Sequence, residues 1–123
     1  MKVIIFNNPS CSKCRSALAQ LKDSACDIEV VEYLKNTPKV GELKKIIRML
    51  GIKPEALIRK KESLYKEKFE GKSFSDAEWI KIMVANPILI ERPILIRGNS
   101  AIIGREEEKV DKWLNPTQLN RKK

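Results

Sequence analysis

The sequence predicts an α/β domain on a mixed four-stranded sheet, and two patterns carry that expectation. Near the N-terminus, two short β-branched runs flank a helical stretch, which is the signature of a βαβ unit with parallel strands. Near the C-terminus, Ile94-Leu95-Ile96 and Ala101-Ile102-Ile103 flank Gly98-Asn99, a hairpin signal, and a helical stretch follows. The chain has 123 residues, enough for one domain around one core.

In order along the chain, Lys2 to Phe6 reads as a short buried strand bounded by Asn7-Asn8-Pro9. Ser10 is a suitable N-cap for a helix starting at Cys11, with Ala17, Leu18 and Leu21 on its apolar face. Residues 28 to 33 are enriched in β-branched side chains and are expected to form the second strand. Leu43, Ile46, Ile47 and Leu50 then recur at helical spacing and stop at Gly51, a natural C-cap. Pro54 can open a short helix carrying Ala56, Leu57 and Ile58. The charged stretch from Arg59 to Gly71 fits either helix or loop. Ser75 and Glu78 form a capping box ahead of a helix whose apolar face is Trp79, Ile82 and Met83, ending at Asn86-Pro87. The hairpin covers residues 94 to 103, and a last helix runs from about Glu106 to Leu114, its acidic residues at the positive end. The order β-α-β, several helices, β-β-α, an α/β unit ending in a hairpin and a packed helix, predicts a thioredoxin-like domain. It would span residues 1–114 as a single domain with a helical insert of about 39–87, leaving residues 115–123 as a flexible basic tail.

Composition narrows the function. Lys and Arg number 25 against 16 Asp and Glu, a net charge of +9, of which Arg121, Lys122 and Lys123 supply three. A basic balance suits an anionic small substrate, an acidic partner or nucleic acid. No aromatics interleave the basic runs, which disfavours nucleic acid. There is no His, so Cys-His and Ser-His catalysis and His metal ligation are excluded. Three cysteines fall short of a four-ligand zinc site, and no metal is expected. No apolar run reaches the ~20 residues of a membrane helix, and no signal peptide is visible, so the expected compartment is the cytoplasm.

Cys11 and Cys14 form a C-x-x-C at a strand-to-helix junction, where a helix N-terminus favours an anion and lowers a thiol's pKa. Lys13 and Arg15 add positive charge nearby. Cys26 stands apart and is expected to be buried and inert.

Four motifs now combine. Asn8-Pro9-Ser10-Cys11-Ser12-Lys13-Cys14-Arg15, Leu57-Ile58-Arg59-Lys60, Asn86 through Ile94, and Ile103-Gly104-Arg105 stand in the order found in the ArsC arsenate reductase family, glutaredoxin-linked type, with Spx as its regulatory relative. The sequence resembles that family over about residues 2 to 114. The resemblance implies that Cys11 is the nucleophile, that Arg59, Arg92 and Arg105 bind the oxyanion, and that Pro93 is a cis-proline. It implies thiol-dependent reduction of arsenate to arsenite with no bound cofactor, glutathione as co-substrate, and glutaredoxin or thioredoxin as the regenerating partner. Two positions depart from the family's reductases. Asn7 stands where they carry His, and Cys14 where they carry a hydroxyl or other residue. C-x-x-C is characteristic of the Spx branch, so a redox-sensing regulator that binds RNA polymerase is the alternative. A third reading is a family member acting on a different substrate, such as a glutathione-dependent thiol reductase.

Overall fold

The computed structural model describes residues 2–115; most of the expected tail, residues 116–123, lies outside them. The chain gathers into two compact units, one from the described residues of 1–32 and 92–123, the other from residues 33–91.

The first unit carries β1 (Lys2–Phe6), α1 (Ser12–Asp23), β2 (Asp27–Val31), β3 (Ile94–Arg97), β4 (Ser100–Ile103) and α5 (Glu107–Leu114), and the three α-helices between β2 and β3 lie in the second unit. The strand order is β2-β1-β3-β4. β1 pairs parallel to β2, whereas β1–β3 and β3–β4 are antiparallel, which is the mixed four-stranded sheet of a thioredoxin-like domain. The second strand ends at Val31 rather than Tyr33, because its partner β1 stops at Phe6 opposite Val31 and Tyr33 enters a turn, its carbonyl accepting from Thr37 Oγ1 (2.9 Å). Strands β1 and β3 lie inside the sheet and are buried along most of their length, while edge strand β2 is largely exposed. Val3 and Ile5 share one face of β1 and pack with Ala17 and Leu21 of α1, Leu95 of β3, and Val110 and Leu114 of α5. Burying each large aliphatic side chain here contributes about 1.5–3 kcal/mol.

The hairpin turns at Gly98, whose φ of 58° is open to glycine at no Cβ cost. Arg97 then ties the hairpin to α5. Its guanidinium donates to the carbonyls of Trp113 (2.8 Å) and Leu114 (3.3 Å) at the helix's negative end and lies 4.7 Å from the centre of the Trp113 ring. At the far end of β4, Gly104 approaches the core closely. A Cβ there would sit 3.0 Å from Leu95 Cδ1 and 3.3 Å from Val110 Cγ2. Gly104→Ala is therefore expected to overpack the core by about 1–3 kcal/mol, read as a lowered urea midpoint with an unchanged slope. An unchanged midpoint would show that Leu95 and Val110 yield freely.

The second unit holds α2 (Val40–Leu50), a 3-10 turn at Pro54–Leu57, α3 (Ser63–Lys68), α4 (Asp76–Ala85) and a 3-10 turn at Pro87–Leu89. Gly51 ends α2 with φ 69°. The ambiguous charged stretch contains the short α3. Ser75 caps α4, its Oγ accepting from Glu78 N–H (3.2 Å) while Glu78 Oε1 accepts from Ser75 N–H (2.9 Å). The face of α4 differs from expectation: Trp79, Ile80 and Met83 are buried and Ile82 only half-buried. Ile80 and Ile82 flank the Trp79–Met83 stripe on opposite sides, so periodicity admits either. Phe74 meets Trp79 edge-on at 4.8 Å, and Tyr65 stacks near it at 6.5 Å. No helix among the described residues is long and apolar enough to cross a membrane.

Candidate active site

The loop from β1 into α1 begins the site. Asn8 closes it on itself: its Oδ1 accepts from Ser10 N–H (3.0 Å) and its carbonyl from Cys11 N–H (2.9 Å). This local turn takes Ser10 out of the expected capping role. The helix starts at Ser12 instead, and Cys11 becomes the N-cap, in extended geometry with φ −93° and ψ 123°. Its sulfur thus lies where the first unpaired amides of a helix converge.

The Cys11 thiol is half-buried, and burial alone would raise its pKa. The Cys14 amide, the Arg92 guanidinium, the Cys14 thiol and the Lys13 amide together outweigh that effect, bringing it from 9.0 down to about 7. Cys14 has the opposite fate. It is fully buried one turn along α1, and Asn8 N–H donates to its sulfur at 3.4 Å. Burial, reinforced by the negative charge developing on Cys11, pushes it up to about 11 despite the Asn8 amide and Arg92. Near neutral pH the pair is therefore asymmetric, with a partly ionised outer thiol and a protonated inner one. Both cysteines are free thiols in this structure.

Arg92 and Arg105 reach each other through the hairpin register. Ile94 pairs with Ile103, and Gly104 N–H donates to the Pro93 carbonyl at 2.8 Å. One step further out, Arg105 Nη1 donates to the Arg92 carbonyl at 3.0 Å. The Arg92–Pro93 peptide is cis. Cys11, Cys14, Arg92, Pro93 and Arg105 thus all belong to the first unit, with Arg92 beside the thiols. Arg59 belongs to the second unit, where it pairs with Glu62 (2.6 Å) and Glu91 (3.6 Å).

Asn8 and Glu62 were not singled out from sequence. Asn8 shapes the cysteine loop, and the Asn-Pro turn signal was the clue to it. Glu62 lies three residues after Arg59, a spacing that favours pairing. Asn7 is buried at 6% exposure, donates its N–H to the Val31 carbonyl (2.8 Å), and has no partner for Oδ1 among the described residues. Cys26 is half-buried rather than buried, with its sulfur 3.4 Å from the Leu21 carbonyl and 3.3 Å from Ser24 Oγ. Among the described residues, no group of three or more His, Cys, Asp or Glu side chains could hold a metal ion.

A thiol of lowered pKa at a helix N-terminus, with arginine beside it, is equipped to attack an anionic electrophile. Known proteins similar to this chain include several arsenate reductases. The arsenate reductase of Haemophilus influenzae is 40% identical over 112 residues, covering 89% of this chain and 97% of that protein. The uncharacterized protein YfgD of Escherichia coli K12 is 40% identical over 111 residues, covering 89% and 93%. The solved structure of the arsenate reductase from Vibrio cholerae aligns with a TM-score of 0.86 at 41% identity, covering 91% of this chain and 97% of that one. The family model described as the ArsC family matches residues 6–113, and with relatives of this identity spanning nearly their full length, the chain belongs to the ArsC family.

Proposed function

We propose that this protein reduces arsenate to arsenite with thiols as the electron source. The observation that carries the reading is the Cys11 thiol, brought down to about 7 by helix amides and Arg92. Cys11 thiolate attacks arsenic(V) and a hydroxyl leaves as water, giving a thioarsenate adduct. A second thiol then attacks the Cys11 sulfur. The sulfur–arsenic bond breaks, its electron pair stays with arsenic as arsenite leaves, and Cys11 ends in a disulfide. Two thiols are oxidised as arsenic(V) becomes arsenic(III). Arg59, Arg92 and Arg105 serve as oxyanion ligands, since guanidinium edges match the spacing of oxyanion oxygens. Glutathione with glutaredoxin, or thioredoxin, restores the thiols, and the cytoplasm, where such systems operate, is the compartment that fits. The catalytic cycle calls for no bound metal or organic cofactor.

Cys14 is the candidate for the second thiol in this chain. The hydrogen bond between its thiol and that of Cys11 supports that role, while its protonation keeps it from competing as the first nucleophile. Cys14→Ser is expected to abolish an internal disulfide, seen as no loss of paired thiols on mild oxidation, while one equivalent of arsenate still reacts at Cys11. Unchanged thiol counts on oxidation of the wild type would reject Cys14 as the resolving thiol.

The same thiol pair favours a second reading, a redox-sensing regulator that binds RNA polymerase. Arsenite formation by the purified protein decides between them, assayed with glutathione plus glutaredoxin and separately with thioredoxin. Turnover with either system establishes the reductase, and the preferred reductant shows whether Cys14 takes part. No turnover, in protein whose Cys11 and Cys14 still oxidise reversibly, selects the regulator.

A further inference from the structure

Arg59 is fixed within the second unit by its backbone as well as its side chain. Its N–H donates to the Leu89 carbonyl (2.8 Å), beside an antiparallel bridge that pairs Ile58 with Ile90 and lets Glu91 N–H reach the Leu57 carbonyl (2.8 Å). Its carbonyl accepts from Glu62 N–H (3.1 Å), closing the turn into α3. That turn carries the Glu62 carboxylate to Arg59 Nη1 at 2.6 Å, while Glu91 Oε1 lies 3.6 Å from Nε. The three side chains are only 19%, 24% and 25% exposed, so water screens these charges less than it would on an open surface.

A guanidinium grips an oxyanion through two parallel N–H groups on one edge. The Nη1/Nη2 edge of Arg59 has Glu62 on Nη1, and the Nε/Nη2 edge has Glu91 near Nε. Each edge thus faces a carboxylate that an incoming oxyanion must meet. The two contacts are unequal. At 2.6 Å the Glu62 pair is a short charge-assisted hydrogen bond, whereas 3.6 Å is too long for one.

We infer that Glu62 is an internal anion that competes with the oxyanion for Arg59, and so sets how tightly, and which, oxyanions the protein takes. The inference rests on the reading of Arg59 as an oxyanion ligand. A tetrahedral dianion offers two oxygens to one guanidinium edge and displaces the carboxylate. A monoanion with a single contact does not repay the lost pair. Glu62 is thus a specificity-determining residue that selects by charge and by number of contacts.

The test uses inorganic phosphate, a tetrahedral anion that thiols do not reduce, titrated calorimetrically into the full chain. Glu62→Gln keeps the size and the carbonyl acceptor but removes the charge. It should tighten phosphate binding about five- to tenfold and lower the KM for arsenate, while Glu62→Asp, charged on a shorter arm, should fall between it and wild type. Arg59→Ala should weaken phosphate about tenfold or more, and Arg59→Ala with Glu62→Gln should bind no tighter than Arg59→Ala alone. Unchanged or weaker binding by Glu62→Gln, with Arg59→Ala still weakened, overturns the competition and leaves Arg59 as an oxyanion ligand. An equal gain in the Arg59→Ala background also overturns it, as a general charge effect. Phosphate affinity indifferent to Arg59→Ala overturns both readings. Thermal melts of each variant identify a loss of folding.

Discussion

Cys11→Ser is expected to end arsenate turnover, with a fall on the order of a thousandfold or more. A serine hydroxyl does not ionise near neutral pH and does not form the sulfur–arsenic bond that the proposed reaction requires. The wild-type thiol gives a second readout that needs no turnover. Alkylation follows the thiolate, so its rate should rise with pH, reach half its plateau near pH 7, and be level by about pH 8. Cys14, pushed up to about 11, stays protonated across that range and adds no second rise. Peptide mapping of the alkylated chain should find the label on Cys11 first. A half-maximum near pH 9, the ordinary thiol value, would mean that the helix amides and Arg92 do not stabilise the thiolate.

Arg92→Ala is expected to produce the next largest loss. Arg92 lowers the Cys11 thiol by hydrogen-bonding its sulfur, and its removal leaves burial opposed by the amides and the Cys14 thiol. The alkylation half-point should move upward from about 7 toward 9. Arsenate turnover should fall about 100- to 1000-fold, the scale of losing one preorganised donor to developing negative charge. Arg92→Lys keeps the charge but not the two-pronged edge, so it should restore more of the alkylation profile than of the turnover. Turnover lost with no shift in the alkylation profile would assign Arg92 to the oxyanion alone. If both stayed unchanged, Arg92 would have no place in the site.

Much of the frame was legible because its signals are local. β1, the turn at Gly98, the stop at Gly51 and the capping box of Ser75 and Glu78 each follow from residues within a few positions of one another. The errors were also local in origin. Two signals competed for Ser10, and the Asn8 turn prevailed over the helix cap, which made Cys11 the N-cap. On α4, either isoleucine beside the Trp79–Met83 stripe satisfied the helical period, and packing chose Ile80. The second strand ended early because β1 stops at Phe6 opposite Val31 and Tyr33 turns away, its carbonyl held by Thr37 Oγ1.

By itself the sequence determined the element order, the C-x-x-C at a strand-to-helix junction, the absence of histidine chemistry and the motif set of the ArsC family. Those depend on residue type and short spacings, which a chain carries into any fold. The tertiary structure alone decided the electrical environment of each group. Cys11 and Cys14 lie three residues apart and would titrate alike in an open chain. Burial drives the inner thiol up, and Arg92, brought from the other end of the unit, helps draw the outer one down. Arg105 meets the Arg92 carbonyl only because β3 and β4 pair in one register. The Arg59 guanidinium is held by Glu62 across one turn and approached by Glu91 across a bridge that joins Ile58 to Ile90. Charges act through space and through whatever excludes water between them, so their effects are set only when the chain has folded.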